Sequence, residues 1–92
     1  MVTAFVLINT RREAIQETAE ALTRIEGVAE VYSVAGEFDL VAVIRVKANE
    51  QLADLVTGHL LRLKGIERTQ TLISFRAYSK FDLERMFAIG MD

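Results

Sequence analysis

Residues 31–46 read VYSVAGEFDLVAVIRV: two apolar runs on either side of the tetrapeptide Gly36-Glu37-Phe38-Asp39. The runs are rich in Val, Ile and Tyr, which favour a pleated strand. Gly36 can take positive φ without steric cost, and an Asp side chain can bond nearby backbone amides. The local expectation is a β-hairpin with residues 36–39 at its tip. Two readings of that tip stay open. Gly36 leaves main-chain N–H groups uncovered beside the Asp39 carboxylate, and such a turn can hold both ends of a small zwitterion. Alternatively the glycine and the aspartate only make the turn, because turn chemistry selects the same residues.

Upstream of the hairpin, residues 2–9 are apolar on both faces and read as a first strand. Thr10 then fits a helix N-cap, with Glu13 completing a capping box. That helix extends to about Arg24 on a stripe of Ile15, Ala19, Leu22 and Ile25, and Gly27 ends it. Residues 28–35 and 40–47 are the second and third strands. Downstream, Asn49 is the expected cap of a second helix over residues 50–64. Its stripe is Leu52, Leu55, Val56, His59 or Leu60, and Leu63. Gly58 lies inside it at a cost of about 1 kcal/mol relative to alanine, a position that often admits a neighbouring backbone. Gly65 closes the helix, and residues 66–78 hold a long fourth strand. In the tail, Ser79 can cap one or two helical turns with Leu83, Met86 and Phe87 as their stripe.

Arg24-Ile25-Glu26-Gly27-Val28 echoes Arg62-Leu63-Lys64-Gly65-Ile66. Each is a helix end, a glycine and an apolar strand start. The chain is thus two β-α-β halves. The order β-α-β-β-α-β predicts an α+β, ferredoxin-like sandwich: a four-stranded antiparallel sheet with two helices on one face. Yet the strands are apolar on both faces, with Leu40, Ala42 and Ile44 set against Val41 and Val43. A sheet with one wet face alternates apolar and polar residues. The open face therefore calls for a cover, most simply a second copy packed sheet on sheet, a dimeric α+β barrel; the alternative is the chain's own tail folded back over part of that face.

Composition agrees with one domain. The chain has 92 residues, 51% hydrophobic and 26% charged, with formal net charge -2. Residues 1–78 form the expected domain and 79–92 a tail packed on its own or a neighbouring subunit. Basic residues are scattered, without the stripe of a nucleic-acid-binding domain. No cysteine is present, which rules out disulfides and thiolate chemistry. His59 is the one histidine and lacks partners at metal-ligand spacing, so it reads as a packing or surface residue. Glu13, Glu17, Glu20, Asp82 and Glu84 read as solvated helix faces, and no paired-carboxylate site is indicated. The expectation is no catalytic residue, no metal and no cofactor. The N-terminus lacks a basic export region and is too short to span a membrane, which suggests the cytoplasm.

The hairpin tetrapeptide followed by an apolar strand resembles the glycine–x–aromatic–aspartate turn of the Lrp/AsnC family. Leu63-Lys64-Gly65-Ile66, then Thr69 and Thr71 before Leu72-Ile73, resemble that family's last helix and strand in its effector-binding (RAM) domain. The likeness covers residues 2–78. Full-length members carry an N-terminal helix-turn-helix; here the first strand starts at residue 2, so the expectation is a stand-alone ligand-binding module without direct DNA binding. The resemblance implies dimerisation through the sheet, further association into rings, commonly octamers, and amino acids bound where hairpin loops of different dimers meet. By position, Gly36, Glu37 and Phe38 would supply backbone contacts. Asp39 would hold the effector's ammonium or fix the loop. Thr69 and Thr71 would offer hydroxyls, and Tyr32 and Val34 would line the side-chain pocket. Mixed assemblies with full-length regulators of the family are a further implied partnership. Two other classes compete: a small cofactor-independent enzyme with polar groups in a cavity between sheet and helices, and a purely structural oligomerisation module.

Overall fold

β1 (Val2–Thr10) is the hub of the sheet. It pairs antiparallel with β3 (Leu40–Val46) on one side and β4 (Ile66–Ile73) on the other. β2 (Val28–Ser33) pairs antiparallel with β3, which gives the order β2-β3-β1-β4. In this computed structural model residues 1–80 are described. α1 (Ile15–Thr23) links β1 to β2, and α2 (Asn49–Gly58) links β3 to β4. Short 3-10 turns, Arg12–Ala14 and Leu60–Arg62, precede α1 and follow α2. This is the ferredoxin-like arrangement expected from the element order.

The helices cover one face. Ala4, Val6 and Ile8 of β1 and Leu40, Ala42 and Ile44 of β3 are fully buried and pack with Leu22, Leu52, Leu55 and Leu60. Burying a side chain such as Leu22 or Ile8 contributes about 1.5–3 kcal/mol each. The stripe Ile15, Ala19 and Ile25 of the first helical segment packs against this core, as do Val56 and Leu63. Between His59 and Leu60 the core takes Leu60; His59 is exposed.

Several boundaries differ from expectation, each for a local reason. Thr10 is not a helix cap. It is the last residue of β1, paired with Ile66, and its hydroxyl donates to the Arg11 carbonyl at 3.0 Å. The helix starts instead through the 3-10 turn at Arg12, with no side-chain cap. Asn49 is the first helical residue, not the cap. The work of capping falls to Gln51, whose Oε1 accepts from the main-chain N–H groups of Lys47 and Ala48 at 2.7 and 3.1 Å.

The second helix is shorter than its stripe suggests: α2 ends at Gly58 and the chain tightens into a 3-10 turn. Gly58 admits no neighbouring backbone, since a Cβ there would meet nothing within 4 Å. The close approaches lie elsewhere. A Cβ on Gly65 would strike Thr18 Oγ1 and come within 2.9 Å of Ala14 Cβ. Gly27 combines φ +99° with Leu55 Cδ1 at 2.7 Å from the would-be Cβ. β4 stops at Ile73, opposite Ala4, with Ser74 N–H donating to Thr3 O at 2.9 Å; beyond that only Val2 of β1 is left, too little strand to carry the pairing to Tyr78. The tail stripe Leu83, Met86 and Phe87 lies outside the described residues.

Candidate functional site

Directly paired residues of a sheet share a face. Phe5 faces Val43 and Leu72, while Leu7 faces Val41 and Gln70; Tyr32 faces Val41, and Glu30 faces Val43. These rows form the face turned away from the helices. Phe5 is 37% exposed, Tyr32 50% and Leu72 45%, so apolar and aromatic surface is open to water in one contiguous patch. At the β2 side a polar cluster borders it. Tyr32 hydroxyl donates to Glu30 Oε2 at 2.5 Å, and Arg45 Nη1 donates to Glu30 Oε1 at 3.3 Å. The Tyr32 hydrogen bond, then Arg45, holds the Glu30 carboxyl below its ordinary value; the same bond pushes the Tyr32 phenol up.

The hairpin tip closes the patch at one end. β2 and β3 join through residues 34–39, where Val34 N–H donates to Asp39 O at 3.0 Å. Gly36 takes φ +124°, which L side chains rarely adopt, and the space around its would-be Cβ is open. The tip is tied to β1 at three points. Asp39 N–H donates to Ile8 O at 2.9 Å, Thr10 N–H donates to Asp39 Oδ2 at 2.9 Å, and Asn9 Nδ2 donates to Glu37 O at 2.9 Å. β4 adds a fourth tie through Arg68. Its Nε donates to Asn9 Oδ1 at 3.2 Å, its Nη2 lies 3.7 Å from Glu37 Oε1, and its guanidinium carbon sits 5.4 Å from the centroid of the Phe38 ring.

The eight sequence-derived site residues therefore divide. Gly36, Glu37, Phe38 and Asp39 are together in the tip. Val34 stands at its base, 38% exposed. Tyr32 lies on the open sheet face. Thr69 and Thr71 face Ile8 and Val6, which places them on the helix side of edge strand β4. Within one protomer the threonines and Tyr32 are on opposite faces of the sheet. Of the two roles open to Asp39, the geometry provides the loop-fixing one through Oδ2.

Sequence reasoning passed over Asn9 and Arg68. Asn9 is the polar end of an otherwise apolar strand, and Arg68 precedes Thr69; pairing β1 antiparallel with β4 in this register would have brought the two together.

A groove of about 690 Å³ opens at the other end of the sheet, where Met1, Gly27 and Val46 meet the end of α2 near Asp54 and His59. It is a surface groove, not a cavity between sheet and helices. Among the described residues no three His, Asp or Glu side chains are grouped to hold a metal ion, and no helix is long and apolar enough to cross a membrane.

The family model described as the Lrp/AsnC ligand binding domain matches residues 3–83. An uncharacterized HTH-type transcriptional regulator of Pyrococcus horikoshii is 38% identical over an alignment of 76 residues, with 79% of this chain and 51% of that protein covered. The chain thus spans about half the length of the curated relatives it matches. The crystal structure of a Thermus thermophilus protein has TM-score 0.82 at 52% identity, covering 87% of this chain and 100% of that one. A feast or famine regulatory protein of M. tuberculosis, complexed with L-methionine, has TM-score 0.72 at 30% identity, covering 87% of this chain and 54% of that one.

Proposed function

The chain belongs to the Lrp/AsnC ligand binding domain family, and from that membership we propose a non-enzymatic module that binds a small amino-acid effector where its copies meet. Binding there modulates transcription or amino-acid metabolism through partners, full-length regulators of the family among them. The copies pair through the open sheet face and associate further into a ring.

The observation that carries this reading is the hairpin tip. It is tied down by Asp39 and by Asn9, whose side chain Arg68 braces, while the space around Gly36 is open. A loop already held in shape loses little conformational freedom when a ligand docks on its main chain. Uncovered N–H groups at a glycine suit a carboxylate. The contiguous apolar face supports pairing, because surface of that kind on a soluble domain marks an interface. The related M. tuberculosis protein is complexed with L-methionine, which supports the class of effector.

A thermal-shift screen of the twenty amino acids tests the proposal. A ligand that prefers the folded state raises the midpoint once its concentration exceeds Kd. At least one amino acid should do so in a concentration-dependent way. Twenty flat responses at millimolar concentration would overturn the proposal.

A further inference from the structure

We infer that Arg68 receives the carboxylate of the effector, and that this side chain makes the site selective for free α-amino acids over their carboxamides. The inference rests on the effector reading above and assigns a role within it.

Arg68 is the one cation tied into the hairpin tip among the described residues. Three contacts fix its guanidinium. Asn9 Oδ1 takes the Nε–H, Phe38 lies against the plane, and Glu37 stands 3.7 Å from Nη2. A guanidinium carries five N–H donors, and Asn9 uses one of them. The Nη1 and Nη2 end belongs to a side chain that is 61% exposed. That end presents two parallel donors, the geometry a carboxylate accepts in bidentate fashion. Holding the plane between Phe38 and Asn9 removes most of the rotamer freedom that a surface arginine would otherwise lose on binding.

Glu37 does not block the site. Its separation from Nη2 is longer than a hydrogen bond, and its own side chain is 77% exposed. Exposed ion pairs of this kind are worth little, so an incoming carboxylate displaces Glu37 cheaply. The displaced Glu37 carboxylate then lies near the ligand's ammonium. Arg68 also belongs to the same sheet face as Asn9, directly opposite it, so the donor faces the open side where copies are proposed to meet.

The test uses the whole chain and two ligand panels, the twenty L-amino acids and their α-carboxamides. The carboxamide keeps the ammonium and side chain but removes the anion. For the wild-type protein the active amino acid should bind roughly tenfold or more tightly than its carboxamide, the range of a charge-assisted hydrogen bond. In Arg68→Gln that preference should shrink several-fold, to what the Gly36 main-chain N–H groups alone supply. A residue that merely braces the loop would weaken both ligands by the same factor and leave the preference intact, which would overturn the inference. Equal wild-type affinity for acid and carboxamide would overturn it without any variant. A crystal structure of the wild-type protein grown with the active amino acid provides an independent reading, and should place a carboxylate oxygen within hydrogen-bond distance of the guanidinium. Silence of the wild-type protein toward both panels would instead sink the effector reading itself.

Discussion

Asp39 Oδ2 accepts a hydrogen bond at 2.9 Å from the main-chain N–H of Thr10, 29 positions earlier, and thereby hooks the hairpin tip onto the end of β1. The bond is partly buried, so its loss leaves a donor short of both protein and water. Asp39→Ala should cost about 1–3 kcal/mol in urea unfolding. Asp39→Asn retains an acceptor oxygen and should cost clearly less. Calorimetry on Asp39→Ala should also show amino-acid binding lost. Equal midpoints for the alanine and asparagine variants would mean that this bond does not hold the loop.

The pairing face is tested at Val41, which lies between Leu7 and Tyr32 on the open side and is half-buried in the protomer. Val41→Lys should leave a folded protomer that sediments as a monomer, since a lysine there would be trapped in an apolar contact. A variant that still sediments as a pair places the interface elsewhere. Val43 is unsuitable despite sharing the face. It is only 6% exposed within the protomer, so a lysine at that position should unfold the chain and say nothing of partners.

The periodicities carried the fold because both helices and the two central strands, β1 and β3, bury residues at the spacing their geometry demands: Leu52 and Leu55 three apart on α2, Val6 and Ile8 two apart on β1. What escaped the sequence were effects set by distant chain. Thr10 and Glu13 have the spacing of a capping box, but pairing with Ile66 and the hook from Asp39 draw Thr10 into the sheet. β4 ends opposite Ala4, near the start of β1, which no residue of β4 announces. The hairpin tip was legible from Gly36 and Asp39, because turn chemistry is local. Asn9 and Arg68 were not, because they meet only through the β1–β4 register, 59 positions apart.

The glycines provide a stability test of the same point. Gly65→Ala should destabilise strongly, because the new methyl meets Thr18 Oγ1 and Ala14 Cβ, and both are packed. Gly58→Ala should be neutral or stabilising by up to about 1 kcal/mol, because the site is open and alanine is the better helix former. Thermal unfolding should show a lowered midpoint for Gly65→Ala and an unchanged or raised one for Gly58→Ala. A Gly58→Ala variant as damaged as Gly65→Ala would show that α2 packs more closely than the geometry here allows.

Tyr32, Glu30 and Arg45 make the open face sensitive to pH, and the sign follows from the direction of each shift. Glu30 is held below its ordinary value by the Tyr32 hydroxyl first and Arg45 second. A carboxyl depressed in the folded state stabilises fully above its unfolded pKa, and that contribution fades as pH falls through the folded value. Tyr32 is raised by the same hydrogen bond, so its contribution is complete below its unfolded pKa and fades as pH rises through the folded value. Tyr32→Phe removes the larger cause and should bring the Glu30 titration, followed by carboxyl-carbon NMR, up toward the ordinary carboxylate range. Arg45→Ala removes both its hydrogen bond and its charge and should also raise it. An unmoved Glu30 in both variants would mean that the cluster does not form in solution.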